Sequence, residues 1–470
     1  MKTNKNLIKI YDKSPVFLQN CILTGVSAFL GRERYGGKYH SYREFLTKTQ
    51  WYTPDELDRY QDEQLRKLIK HAYETVPYYQ RIFKENRLQP SDIMTCADLP
   101  KLPVLTRRDI IEHSRELIST AIKPRQLIYG QTSGTTGSPL QVYYDRATIN
   151  ISYAALDRQY QWAGCNLSRF GDRIAVGRGN LIVPLSKKKP PFWRQNYLHN
   201  QLLLSSFHLS RKNLPHYFDK LERFQPKVLD GYPSVLYILA KFLKNNSMKF
   251  PLNAVITSSE TLYDFQREVI EESFECKIFD YYTLAERVAF ATECEKHEGH
   301  HLNSEYGITE IVDKDNLQLP NGKAGRLVGT SLHNFGMPMI RYVTNDMTAV
   351  KQDPCSCGRG LPLMEDVATK AEDIITLEDG RLIPPTVFEH PFKSLKSVEA
   401  SQVIQKDYNS FYVKVIPNEA YNESDTEHII HECKSRLGNN ISVEVELVKE
   451  LPRTKSGKQR FVISEVKSDI

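Results

Sequence analysis

Three groups of residues have the types and spacing to do chemistry. The stretch Tyr129-Gly130-Gln131-Thr132-Ser133-Gly134-Thr135-Thr136-Gly137-Ser138-Pro139 is rich in glycine and hydroxyl side chains. Glycine lets backbone N–H groups approach an oxyanion closely, and the hydroxyls add donors, so the stretch reads as a phosphate cradle. It lacks the Gly-Lys-Ser/Thr ending of a Walker A loop. A second group is Cys294, His297, His300 and His301, with Cys355-Ser356-Cys357 about fifty residues further on. Zinc takes four Cys/His ligands in a closed structural site, and clustering of this kind points to a metal. The third group is Leu451-Pro452-Arg453-Thr454-Lys455-Ser456-Gly457-Lys458, which by itself is a basic loop near the end of the sequence.

These residues need a scaffold, and the rest of the sequence says which. From about 125 to 285, short apolar runs alternate with helical patterns. Strands are expected at Gln126–Tyr129, Arg173–Val176, Leu202–Phe207, Lys227–Leu229, Asn253–Thr257 and Lys277–Tyr281, with helices near 148–162, 211–223, 234–244 and 261–274. That alternation implies βαβ units and a largely parallel sheet, with ligands at the carboxyl ends of the strands. The cradle follows the first of these strands. Residues 305–350 turn strand-rich. In the last hundred residues Phe411, Val413 and Val415 alternate, as do Ile441, Val443, Val445 and Leu447. Between them Ser424-x-x-Glu427 has the spacing of a capping box opening a helix that stops at Gly438. The first hundred residues look helical, and Leu65, Leu68, Ile69, Ala72 and Tyr73 mark one buried helix face.

With 470 residues, 40% apolar and 26% charged, the chain has ordinary globular composition for two or more domains. A net charge of +6 spread over that length does not call for nucleic acid, and Lys187-Lys188-Lys189 reads as a solvated loop. Eight cysteines are too few for a disulfide scaffold. Val16 to Leu30 is too short to span a bilayer and lacks a signal-peptide cleavage site. It is expected to be a buried or interfacial helix, with a membrane-surface anchor as the alternative, and the protein is expected to be cytoplasmic. His208 is read as a structural histidine, with gating of an acyl pocket as the alternative.

The string Thr-Ser-Gly-Thr-Thr-Gly-Ser-Pro resembles the phosphate-binding motif of the adenylate-forming enzymes, and the chain most resembles their phenylacetate–CoA ligase branch, in particular its CapK-like, coenzyme F390 synthetase-like members. Trp51 to Phe83, with Val76-Pro77-Tyr78-Tyr79, is similar to that branch's N-terminal helical region. Asp230-Gly231-Tyr232-Pro233-Ser234 and Thr257-Ser258-Ser259-Glu260 resemble the segments that wall the nucleotide site. Asp280 to Glu286 falls on the aromatic–Gly–x–Thr/Ala–Glu motif, which implies that Tyr282 stacks on adenine, flanked by Tyr281 and Thr283, and that Glu286 holds Mg²⁺. Thr283 stands where the family has glycine. Arg341 to Asp346 resembles Arg-Tyr-x-Thr-Gly-Asp, which implies that Asp346 accepts from the ribose hydroxyls. Thr369-Lys370-Ala371-Glu372-Asp373 falls on the hinge motif, where Lys370 replaces arginine and loses its bidentate fork. Lys458 falls on the catalytic lysine. The branch's Cys…Gly-x-His…Cys-x-Cys pattern selects Cys294, His301, Cys355 and Cys357 for Zn²⁺.

The resemblance implies an α/β protein with a large N-terminal adenylate-forming domain of mixed, largely parallel sheets (1–370, with 1–120 a helical lead-in) and a small mobile α/β domain (371–470). It implies an ATP-dependent ligase in which Thr132, Ser133, Gly134, Thr135, Thr136, Gly137, Ser259 and Glu260 hold nucleotide. A small carboxylic acid becomes an acyl-adenylate and passes to a thiol such as CoA or to an amine, and relatives of this kind occur in capsule and exopolysaccharide pathways. The alternatives are an aryl- or acyl-CoA ligase proper, an adenylyl transferase acting on a hydroxyl, and a catalytically silent, zinc-stabilised ligand-binding relative. Neither the acid nor the oligomeric state is specified.

Overall fold

The computed structural model describes residues 10–131, 140–167, 171–367, 375–452 (apart from 384, 393, 394 and 396) and 460–466. Thr132 to Gly137, Lys370 and Lys458 lie outside the described residues.

The lead-in includes helices α1 (Val16–Arg34), α2 (Tyr39–Thr49), α3 (Pro54–Thr75), α4 (Pro77–Glu85) and the short α5 (Arg107–Glu112). Thr53 starts α3 because its hydroxyl accepts from the Glu56 N–H while Glu56 reaches back to the Thr53 N–H at 2.8 Å, with Pro54 in the first turn. The expected stripe Leu65, Leu68, Ile69 and Ala72 is fully buried, while Tyr73 packs only partly buried against it. Helix α1 departs from a buried helix: Gln19 is its one buried residue.

The hairpin β1 (Ile128–Gln131) and β2 (Gln141–Tyr144) flanks residues 132–139. Its first strand starts later than expected, because Pro124–Gln126 closes a 3₁₀ turn. Helix α6 (Arg146–Trp162) follows, and then β3 (Ile174–Arg178), β4 (Trp193–Asn196), β5 (Gln201–Ser205), α7 (Leu214–Phe224), β6 (Val228–Gly231), α8 (Pro233–Asn245), β7 (Ala254–Ser258), α9 (Asp264–Phe274), β8 (Ile278–Thr283), β9 (Phe290–Glu293) and β10 (His300–Leu302). Strands β11 (Gly307–Val312), β12 (Gly325–Ser331) and β13 (Tyr342–Thr348) form a separate antiparallel sheet, and β14 (Leu363–Met364) returns to the first.

The nine-stranded sheet runs β14-β10-β9-β8-β7-β6-β3-β5-β4. Its centre, β8-β7-β6-β3-β5, is parallel as the alternating pattern predicts. Both flanks are antiparallel. One face is covered by Leu221, Leu236, Leu239 and Ile270 of α7, α8 and α9. The other is covered by Leu46 of α2 and by Ile151, Ala154 and Ala155 of α6. A central strand must be apolar on both faces, and β7 is buried at every residue.

Toward the C-terminus come β15 (Ile375–Thr376), β16 (Leu382–Ile383), β17 (Val398–Gln405), β18 (Ser410–Pro417), α10 (Glu423–Leu437), β19 (Ser442–Leu447) and β20 (Val462–Ser464). The last four strands form one sheet in the order β19-β18-β17-β20. Phe411, Val413 and Val415 meet Ile429, Cys433 and Leu437 of α10 in a core that also takes in Phe207 from the larger part. The cap of α10 is Asn422, not Ser424: the Asn422 side chain accepts from the Ser424 N–H at 3.0 Å, and Asp425 accepts from the Asn422 N–H. Asn422 already has the extended backbone a cap requires, which leaves Ser424 inside the first turn.

Candidate active site

The carboxyl ends of the parallel strands carry a polar network. Arg178 ends β3, Asp230 lies near the end of β6, Ser258 ends β7, and Tyr281 lies late in β8. The Arg178 guanidinium donates to Asp230 Oδ1 at 2.6 Å, to the Tyr281 hydroxyl at 3.0 Å and to Ser258 Oγ at 3.1 Å. Tyr160 from α6 adds a hydrogen bond to Asp230 Oδ2 at 2.5 Å. A charged pair held by several further hydrogen bonds fixes the strand ends relative to one another.

Next to these ends lies a cavity of about 1040 Å³. Its lining includes Ser259, Glu260, Tyr281, Tyr282, Thr283, Glu286 and Asp346. The structure thus brings together every described residue that the sequence nominated for nucleotide or Mg²⁺. Of the glycine-rich stretch, Tyr129, Gly130 and Gln131 line the same cavity. Gly130 must be glycine, because a Cβ there would lie 2.3 Å from the Tyr144 ring. The Tyr144 hydroxyl in turn donates to the Ala285 carbonyl, which ties the hairpin to the segment carrying Glu286.

Two hydrogen bonds order the carboxylates. The Tyr282 hydroxyl donates to Asp346 Oδ2 at 2.7 Å, and the Tyr342 hydroxyl donates to Glu286 Oε1 at 2.9 Å. Burial pushes the Glu286 carboxyl above the usual carboxylate range, against the pull of the Tyr342 hydrogen bond and nearby Arg107. Such a carboxylate gains from a cation beside it, so Glu286 fits the Mg²⁺ role chemically. Thr283 sits at the end of β8 opposite Phe290. Its backbone is ordinary strand, so replacing the family's glycine introduces no positive φ.

Several residues here were not assigned to this cavity from sequence. Arg287 lines the cavity and lies 4.9 Å over the Tyr144 ring. Asp280, His300 and Asp366 form a chain: His300 Nε2 lies 3.0 Å from Asp280 and Nδ1 lies 3.2 Å from Asp366. Burial opposes a charge on His300, yet the two carboxylates carry its pKa up to about 10. The rule that parallel sheets bind ligands at strand carboxyl ends would have found Arg178. His300 offered no such signal, because it reads as one of three histidines near Cys294. His208 lies outside the cavity lining. It stacks on Phe192 at 5.0 Å, with Nδ1 2.8 Å from Ser205 Oγ, so the gating alternative is not supported.

The second site is the cysteine cluster. Ligand atoms of Cys294, His301, Cys355 and Cys357 all lie within 4.8 Å of one another. The Cys294 and Cys355 sulfurs are 3.6 Å apart, and Cys357 Sγ is 3.5 Å from His301 Nε2. A tetrahedral zinc with bonds of about 2.3 Å sets its sulfurs about 3.8 Å apart, so the four residues fit the ion. His301 Nδ1 faces the Leu361 carbonyl at 3.1 Å, which selects the tautomer that leaves Nε2 free for a metal. Burial pushes the imidazole down to about 4, so it is neutral, as a ligand must be. His297 instead faces Glu293 at 3.6 Å and the Phe279 ring, outside the cluster.

Comparison with known proteins shows what the chain is similar to. Residues 375–465 match the family model of the CapK C-terminal domain. Over 463 residues the chain is 27% identical to protein CapK of Staphylococcus aureus, covering 97% of this chain and 99% of that protein. It is 22% identical over 453 residues to the phenylacetate-coenzyme A ligase of Thermus thermophilus, covering 87% and 96%. The fold superposes on a crystal structure of 2-hydroxyisobutyryl-CoA ligase in complex with 2-HIB-AMP and CoA, with a TM-score of 0.58, 19% identity, and 88% and 91% of the two chains covered.

Proposed function

We propose, for this homologue of CapK and the phenylacetate-coenzyme A ligases with the fold of an adenylate-forming ligase, that the chain is an enzyme that activates a carboxylic acid with ATP and transfers the acyl group to a thiol. The observation that carries the reading is the Tyr282–Asp346 and Glu286–Tyr342 pairing on one cavity wall beside the strand that enters the glycine-rich stretch. An acid oxygen attacks the α-phosphorus of ATP, and the bond to pyrophosphate breaks. Asp346 accepts from the ribose hydroxyls, and the Tyr282 ring covers the base. Ser259 and Glu260 wall the nucleotide, and Thr132 to Gly137 supply N–H and hydroxyl donors to its phosphates. Charge grows on phosphoryl oxygens during attack, and preorganised donors with the Lys458 ammonium oppose it. Mg²⁺, which supplies further charge neutralisation, would be held by Glu286. Zn²⁺ would be closed in by Cys294, His301, Cys355 and Cys357 and would support folding only.

The part up to about residue 370 binds nucleotide and acid, and residues 371–470 turn about Lys370 between the two half-reactions. The acceptor in the second is CoA or a comparable thiol, with an amine as the other choice. The test is ATP-dependent pyrophosphate release over a panel of carboxylic acids, followed by discharge with CoA. Release with at least one acid, and acyl-CoA formation from it, is expected. No release with any acid and intact ATP binding would leave a silent ligand-binding relative.

A further inference from the structure

Helix α1 meets the protein largely through polar side chains and leaves large apolar ones exposed. Its polar side chains face the protein. Gln19 accepts from Arg194 and donates to the Tyr11 carbonyl. Asn20 accepts from the Gln195 N–H at 3.0 Å, Thr24 accepts from the Tyr197 N–H at 3.1 Å, and Ser27 accepts from Asn196 at 2.9 Å. These bonds cover the edge strand β4, whose free backbone groups would otherwise invite pairing. Four large apolar side chains face outward: Phe17 is 71% exposed and Phe29 56%, and Leu18 and Val26 are exposed as well, while Val16, Ile22, Leu23 and Leu30 are half-buried. No acidic or basic side chain occurs from Val16 to Leu30. Surface helices of globular proteins place these faces the other way round, and a contiguous apolar face of this kind marks an interaction site.

The charges around the face choose the partner. Lys13 precedes α1, and Arg32 and Arg34 close its last turn. Lys187, Lys188 and Lys189 are exposed in a loop held beside the start of α1, through Tyr11 donating to the Ile182 carbonyl at 2.7 Å and Arg194, which also holds Gln19, donating to the Pro191 carbonyl at 3.1 Å. Arg34 turns to the Tyr153 ring at 5.0 Å, and against the other five cations stand Asp12 and Glu33. A two-fold pairing of such faces would bring two basic rims together. An anionic surface with an apolar interior complements both features.

We propose that α1 docks the protein on an anionic membrane surface, lying in the plane of the interface with Phe17, Leu18, Val26 and Phe29 among the acyl chains and the lysine loop over the headgroups. Among the described residues no helix is long and apolar enough to cross a membrane, so this is surface docking. The full chain should co-sediment with vesicles of phosphatidylglycerol and phosphatidylcholine and not with phosphatidylcholine alone, with binding that weakens as salt rises. Phe17→Glu/Phe29→Glu should lose about a hundredfold in vesicle affinity. Lys187→Glu/Lys188→Glu/Lys189→Glu should lose about tenfold and most of the salt dependence. All these positions are exposed, and an unchanged unfolding temperature verifies the fold of each variant. Failure to bind phosphatidylglycerol vesicles, or equal binding by the parent and the double variant, would overturn the proposal. So would a lipid-free dimer, seen by sedimentation velocity, that Phe17→Glu/Phe29→Glu dissociates, because the face would then belong to a second copy.

Discussion

The Tyr282 hydroxyl donates to Asp346 Oδ2 over 2.7 Å, which joins β8 to β13 in one wall of the cavity. The residue assigned to the adenine and the residue assigned to the ribose are therefore held by one hydrogen bond. Asp346 is further fixed by its own N–H, which donates to Thr344 Oγ1 at 3.1 Å. Asp346→Ala should weaken ATP binding by about 1.5–3 kcal/mol, the range for a hydrogen bond to a charged acceptor. Tyr282→Phe keeps the ring and loses only the orienting bond, so it should cost about 1 kcal/mol. Titration calorimetry with ATP measures both. Unchanged affinity in folded Asp346→Ala would mean that the ribose is held elsewhere.

The cysteine cluster gives a prediction about stability. Metal analysis should find one zinc per chain, and Cys355→Ser should remove it. Loss of a structural metal ligand belongs to the large end of single-substitution effects, about 3–5 kcal/mol. Chelation should lower the unfolding temperature of the parent and leave that of Cys355→Ser unmoved. A metal-free preparation with full stability would remove zinc from the account.

His208 predicts a pH dependence. Burial, with Arg381, Arg194 and Lys188 also disfavouring its charge, pushes its pKa down to about 4 from an ordinary 6.5. The unfolded chain therefore binds a proton more readily than the folded one between these values. The contribution is fully present above about pH 6.5, and it is lost as the pH falls toward 4, by about 3 kcal/mol in all. Phe207, its neighbour, packs in the core of the C-terminal sheet, so the loss should loosen that sheet from the larger part. Burial lowers His333 too, so the measurement is the difference in unfolding temperature between the parent and His208→Asn across pH 4–7. The variant should be flatter with pH, and parallel curves would rule His208 out.

The parallel centre of the large sheet was legible because each of its strands is a short apolar run between helical patterns. Asn253–Thr257 was expected, and Ala254–Ser258 is found. The antiparallel flank was not. Strands β9, β10 and β14 have two to four residues, too few to show a period, and His300 and His301 look like metal ligands before they look like strand. Their pairing is long-range: β14 pairs with β10 from about sixty residues away. The cavity residues were legible where a motif fixed their spacing, as at Tyr282, Glu286 and Asp346. Arg178, Arg287 and Asp366 were not, because each gains meaning only from the side chain it faces.

Lys458 gives the sharpest test of two half-reactions. Its assignment rests on Leu451-Pro452-Arg453-Thr454-Lys455-Ser456-Gly457-Lys458, the stretch between β19 and β20. If the C-terminal part brings the ammonium to the α-phosphate only for adenylation, the charge acts on the transition state and little on bound ATP. Losing one such group costs about 10²–10³ in rate. Lys458→Ala should therefore slow pyrophosphate release by about that factor with little change in ATP affinity. Supplied with preformed acyl-adenylate and CoA, the same variant should make thioester at near the parental rate, because that step uses the other orientation of the C-terminal part. An equal fall in both rates would mean that Lys458 supports the structure or both orientations, and the rotation would be wrong for this chain.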